Sequence, residues 1–184
     1  MALSHLTGGS EGAALVSFGR SRAWSEGKRV ASGSEIAPTA LNRKLFHGTH
    51  EIPPEVAFEK GLPLGGGDTR LLQHAMQSGG SAFRGTTTQI FAPGNEAGAG
   101  FWAGDGGWVY QLDGTASWDV NASLEGRVPK PGGFEGNPMR GENEQAILAG
   151  VPRERIAGAI QIVEVNGRLV PKPIIPNPHY KPLK

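Results

Sequence analysis

The chain has 184 residues, with 18 Lys and Arg against 17 Asp and Glu for a formal charge of +1. That size suits one domain with an appended arm, and the balance of charge excludes a global basic field of the kind that advertises nucleic-acid binding. The lack of cysteine excludes disulfides and thiolate metal sites, and no apolar run is long enough to span a bilayer.

Residues 1–40 are rich in Gly, Ser and Ala. They read as a loosely ordered arm ahead of a catalytic domain over 41–184. Met1 to Arg20 lacks the basic region and apolar core of a signal peptide. A short strand is expected at Leu45 to Thr49, closing on a glycine turn. Pro53-Pro54 opens a helix through Lys60, with Gly61 as its stop. Asp68 or Thr69 caps a second helix through Gln77, with Leu71, Leu72, Ala75 and Met76 facing inward. Strands follow at Ser81 to Thr87, Trp108 to Leu112, Ser117 to Val120, Gln145 to Leu148 and Ile156 to Val165, with a short helix over Asn95 to Trp102. Asn166-Gly167 is a two-residue hairpin signal. The proline-rich tail from Pro171 is extended and unfit for a central strand. Helices crowd the first half and strands the second, an α+β pattern.

Chemistry concentrates at Gly141-Glu142-Asn143-Glu144-Gln145-Ala146-Ile147. On a strand, Glu142 and Glu144 point to the same side. Two close carboxylates drive their titrations apart, which suits acid–base or cation-stabilising work. A bare E-x-E is more often a solvated strand edge than a catalytic pair. His50, His74 and His179 lack metal-ligand spacing, and Gly65-Gly66-Gly67 lacks the Lys-Ser/Thr of a phosphate loop.

The stretch from Glu144 through Ala149-Gly150-Val151-Pro152 to Ile156-Ala157-Gly158 closely resembles the third signature block of cholera-toxin-like ADP-ribosyltransferases. Ser81-Ala82-Phe83-Arg84-Gly85-Thr86-Thr87 resembles the second block and Leu45-Phe46-His47-Gly48-Thr49 the first, in the right order. The endings Asn166-Gly167 and Pro176-Asn177-Pro178 are similar to DNA-targeting members of the pierisin type. Two positions depart from the pattern. His47 stands where cholera-type toxins carry Arg, as in diphtheria toxin and poly(ADP-ribose) polymerases. Gly85 stands where the family has a Ser that helps hold the catalytic Glu, leaving Thr86, Thr87 or Thr88 to replace it.

The resemblance implies an ADP-ribosyltransferase fold: two small packed β-sheets with short helices flanking an NAD cleft lined by His47 and Glu144, with the first strand near the middle of one sheet. It implies a mono-ADP-ribosyltransferase toxin that cleaves NAD at the nicotinamide bond and transfers ADP-ribose to RNA, DNA or protein arginine. NAD is the substrate and no metal is needed. The alternatives are an NAD glycohydrolase toxin and a non-enzymatic NAD- or ADP-ribose-binding module. Glu144 would stabilise the oxocarbenium-like ribose, as in glycoside hydrolysis, and Glu142 would orient or deprotonate the acceptor. His47, Gly48, Thr49, Thr86 and Thr87 would bind NAD. Phe101, Phe91 or Trp102 would stack on nicotinamide. Arg127, Lys130, Arg140, Arg153 and Arg155 would form a basic rim or be ordinary surface charges. A secreted or delivered effector acting in the target-cell cytoplasm, with an immunity protein blocking the cleft and no membrane partner, completes the expectation.

Overall fold

The structure, a computed structural model, describes residues 44–68, 71–76, 80–91, 98–113, 117–124, 144–148 and 150–183. The expected arm over 1–40, the loop Pro131 to Gly141, and Glu142 lie outside the described residues.

The elements run β1 (Leu45–Thr49), α1 (Pro54–Lys60), α2 (Leu71–Met76), β2 (Phe83–Thr86), α3 (Ala99–Ala103), β3 (Trp108–Leu112), β4 (Trp118–Asp119), α4 (Val120–Leu124), β5 (Gln145–Leu148), a 3₁₀ turn (Arg153–Arg155), β6 (Ile156–Val165), β7 (Arg168–Pro171) and β8 (Ile175–Pro176). Local chemistry sets several of these limits. Pro53 and Pro54 open α1, and Gly61 closes it at φ 77°, a left-handed turn that glycine adopts without strain. Asn166 at φ 52° and Gly167 at φ 75° make the tight hairpin between β6 and β7.

The strands form two antiparallel sheets. The larger runs β1-β3-β6-β7, with β8 also paired to β6, and the smaller runs β2-β5-β4. β5 is the central strand of the smaller sheet and is buried along its whole length. Its side chains alternate as a strand requires: Ala146 and Leu148 join Phe83, Trp118 and Leu124 in one core, while Ile147 joins Leu45, Phe58, Tyr110 and Ile156 in another. A third core sets Ala99 and Ala103 of α3 against Val109, Ile160 and Ile162 on the other face of the larger sheet. A register shift at Gln111/Leu112, where Leu112 pairs with Ile156 and Gln111 with Gly158, puts one extra residue into β6. Ile156 and Ala159 therefore share a core although three positions separate them.

Two expectations are corrected. β1 is an end strand in its sheet, not a central one. Its outer edge instead meets the smaller sheet through a reciprocal backbone pair, Phe46 N–H to Thr87 O at 2.8 Å and Thr87 N–H to Phe46 O at 2.9 Å. The strand expected over Ser117 to Val120 ends at Asp119, whose carboxylate accepts from the Ala122 N–H at 2.9 Å and turns the chain into α4. The segment expected as helix over Asn95 to Trp102 is described only from Gly98, with α3 at Ala99–Ala103. The tail does stay at an edge, where Asn177 donates to the carbonyls of Arg153 and Ile156, each at 2.8 Å, and accepts from His179 N–H.

Candidate active site

Glu144 sits immediately before β5. Its carbonyl accepts from Val120 N–H at 3.1 Å, so the backbone is tied to the start of α4. The side chain is turned inward, with only 6% of its surface exposed. A carboxylate this deep needs a partner. It has one in His74 of α2, whose Nε2 lies 2.7 Å from Oε1. The other carboxylate oxygen, Oε2, is buried without a hydrogen-bond partner among the described residues.

Two further contacts hold the strand that follows. The Thr86 hydroxyl donates to the Gln145 carbonyl, and Ser117 Oγ donates to Gln145 Oε1 at 3.2 Å. Thr86 is thus an internal brace of the strand beside Glu144. The Thr87 hydroxyl is likewise used internally, donating to Gln89 O at 2.5 Å where β2 ends.

Gly85 explains how His47 and Glu144 come together. The Gly85 carbonyl accepts from His47 Nδ1 at 2.8 Å, while a Cβ on Gly85 would fall 2.6 Å from Glu144 Oε1. The two sequence-expected residues thus meet at one backbone position of β2. The same distance explains the glycine, since a side chain there would occupy the space of the carboxylate.

Both ring nitrogens of His47 have protein partners. Arg84 NH1 donates to Nε2 at 2.7 Å, and a second Arg84 nitrogen donates to the Pro63 carbonyl. Accepting from a guanidinium requires a bare Nε2, so the ring is neutral with its proton on Nδ1. Burial, and secondarily the Arg84 charge, hold His47 down at about 3, against the small opposing pull of the Gly85 carbonyl. Burial also pulls Arg84 below its ordinary value, though a guanidinium remains cationic. Its Nε is buried and unpartnered among the described residues.

The backbone of Gly48 follows from register. Phe46 directs its N–H and C=O toward β2, so Gly48, two residues on, directs its own off the same edge of β1. A Cβ on Gly48 would point off the face of the sheet into α3, 1.8 Å from the Ala99 carbonyl oxygen. Thr49 closes the strand with its hydroxyl accepting from Glu51 N–H at 3.2 Å. Of the aromatic candidates, Phe91 packs against the core beneath α3, whereas Phe101 and Trp102 project from α3, edge to face and about half exposed.

Arg153 pairs with Glu59 at 3.5 Å and Arg155 donates to Lys181 O at 3.1 Å, so both are engaged with α1 and the tail. Arg127, Lys130 and Arg140 lie outside the described residues. No group of three or more metal-ligating side chains occurs among the described residues. Sequence reasoning passed over His74, Ser81 and Arg84. His74 falls three residues after Leu71, on the inward face of a helix, and that spacing was its one available signal.

The layout of two packed antiparallel sheets and short helices is the ADP-ribosyltransferase fold. Among solved structures, the chain is similar to the Scabin toxin from Streptomyces scabies in complex with NADH, at a TM-score of 0.61 and 20% identity over 80% of this chain and 82% of that one. It is also similar to a guanine-specific ADP-ribosyltransferase, at 0.63 and 18% identity over 84% and 88%, and to a guanine-specific ADP-ribosyltransferase with NADH and GDP, at 0.59 and 17% over 84% and 87%. No protein-family model and no curated protein matches the chain.

Proposed function

We propose that the chain is a mono-ADP-ribosyltransferase that takes NAD as its substrate and transfers ADP-ribose to a macromolecular acceptor, with Glu144 as the catalytic carboxylate. The observation that carries this reading is the buried Glu144 Oε2, without a hydrogen-bond partner among the described residues, on a carboxylate whose Oε1 packs against Gly85. A buried, unpaired carboxylate oxygen is costly unless a ligand completes it. A ribose hydroxyl supplies the missing donor.

The chemistry needs little else. The nicotinamide–ribose C–N bond breaks with its electron pair returning to nicotinamide, which leaves neutral. Positive charge develops on the ribose, and the fixed negative charge of Glu144 stabilises it. A lone pair of the acceptor forms the new bond to the same carbon, and the acceptor gives up one proton. Glu142, by its place in the E-x-E, is the base proposed to take that proton. On the NAD-binding side, Gly48 offers an N–H and C=O off the edge of β1. Phe101 and Trp102 offer exposed rings. The Arg84–His47 pair offers a cation held close to Gly85.

The acceptor proposed first is a nucleic-acid base, guanine, because two of the similar structures are guanine-specific enzymes, one solved with NADH and GDP. Protein arginine is the competing acceptor. The toxin role, the delivery to a target cell and an inhibitor seated at the cleft mouth extend the same reading. The test is incubation of the full chain with NAD and, separately, GDP, RNA, DNA and an arginine-rich peptide, with products resolved by mass. An ADP-ribose adduct on a guanine-bearing acceptor, absent with Glu144→Gln, supports the proposal. Free ADP-ribose as the sole product returns the glycohydrolase, and uncleaved NAD defeats the enzyme reading.

A further inference from the structure

Glu144 Oε1 is held from a direction that the E-x-E motif does not specify. His74 is 5% exposed and its Nε2 lies 2.7 Å from Oε1, while its Nδ1 lies 3.0 Å from Ser81 Oγ. Ser81 is itself buried, and its Oγ accepts from Phe83 N–H at 3.0 Å. With that lone pair engaged, the Ser81 hydroxyl proton is free to point at His74 Nδ1. The polarity is then continuous: Phe83 N–H to Ser81 Oγ, Ser81 O–H to His74 Nδ1, and His74 Nε2–H to Glu144 Oε1. The tilted Phe83 ring, its centroid 5.7 Å from that of His74, packs beside the imidazole.

We infer that His74, aimed by Ser81, is the positioning residue of the active site, fixing the Glu144 carboxylate through Oε1 so that Oε2 faces the ribose. The inference rests on the reading of Glu144 as the catalytic carboxylate. Gly85 is the complementary half of the device. Its ideal Cβ would stand 2.6 Å from Oε1 and 3.8 Å from His74 Nε2. A side chain at position 85 and the histidine donor therefore compete for the same carboxylate oxygen. This chain uses the histidine, which requires glycine on β2. Because His74 touches Glu144 and has no proposed contact with NAD, its loss should appear in turnover more than in substrate affinity.

The experiment measures kcat and KM for NAD cleavage in the full chain for His74→Leu, His74→Gln, His74→Ala, Gly85→Ser and the double variant His74→Ala/Gly85→Ser, with thermal melts of each and Glu144→Gln in parallel. A hydrogen bond to a charged group has a worth that predicts about a tenfold or greater fall in kcat for His74→Leu, with KM changed by no more than about threefold. His74→Gln, whose amide N–H can still donate, stays within about fivefold of wild type. Gly85→Ser alone is impaired by the clash. The double variant exceeds His74→Ala, because the introduced hydroxyl reaches a carboxylate no longer held elsewhere.

Wild-type kcat in a folded His74→Leu, with Glu144→Gln inactive, overturns the inference and leaves the enzyme reading standing. If His74→Leu fails to melt cooperatively, His74→Gln and the double variant decide. Loss of kcat in a folded His74→Gln equal to that of Glu144→Gln, with no gain in the double variant, also overturns it. An active Glu144→Gln removes the functional reading and takes this inference with it. Independently of activity, NMR of the imidazole nitrogens should find a protonated His74 Nε2, and a bare Nε2 overturns the proposed donor.

Discussion

Glu144→Gln separates charge from shape. The glutamine has nearly the volume of the glutamate, and its amide oxygen can still accept from His74 Nε2, now at 2.7 Å from Oε1. The fold should therefore survive, with a melting temperature within about 4 °C of wild type, the scale of a change of about 1 kcal/mol in a chain of this size. What disappears is the negative charge behind Oε2. A full charge about 4 Å away, at an effective dielectric of about 20, is worth about 4 kcal/mol. The ribose carries only part of a charge at the transition state, so a loss of at least about 2.7 kcal/mol, or about a hundredfold in rate, is expected. The assay is nicotinamide release from NAD by the pure protein, at saturating NAD, for wild type and variant. A folded variant that turns over NAD at near the wild-type rate refutes the argument that Oε2 stabilises a cation.

Glu142→Ala is expected to lose transfer while keeping much of the NAD hydrolysis, read as adduct against free ADP-ribose; equal loss of both contradicts a base that acts on the acceptor. His47 adds acid sensitivity: the unfolded ring takes up its proton near 6.5 and the folded ring near 3, so the unfolded state binds more protons in that window and stability falls as pH drops through it. Urea midpoints of wild type and His47→Gln, compared at several pH values between those limits, should converge toward the acid end, and parallel curves would exclude the buried neutral ring. Gly48→Ala drives a Cβ to 1.8 Å from Ala99 O, and overpacking of backbone on backbone should cost about 3 kcal/mol or more, visible as a lower melting temperature; an unchanged melt would mean that α3 does not pack there. Asn177→Ala strips the donor from the carbonyls of Arg153 and Ile156, for an expected loss of about 1–3 kcal/mol in denaturant unfolding, whereas a neutral effect would place water on those carbonyls.

Much of this protein was legible in one dimension because its causes are local. Proline at the first turn of α1, glycine at φ 77° after it, and the Asn166-Gly167 hairpin are decided by backbone sterics within a few residues. The alternating cores of β5 follow from the two-residue repeat of a strand, and Glu144 was conspicuous because it opens that strand in an E-x-E. The E-x-E also shows the limit, since the expected role of Glu142 lies outside the described residues. What depended on tertiary structure was how residues far apart in the chain share space. β1 became an end strand because its outer edge is completed by Thr87, a pairing no local pattern encodes. Thr86 and Thr87, read as NAD ligands, spend their hydroxyls on Gln145 and Gln89. His74 and Glu144 lie 70 positions apart, and neither a helical repeat nor a strand repeat relates residues at that distance. Gly85 read as a departure from the family pattern because a sequence shows which side chain is missing, whereas only packing shows which carboxylate fills the space.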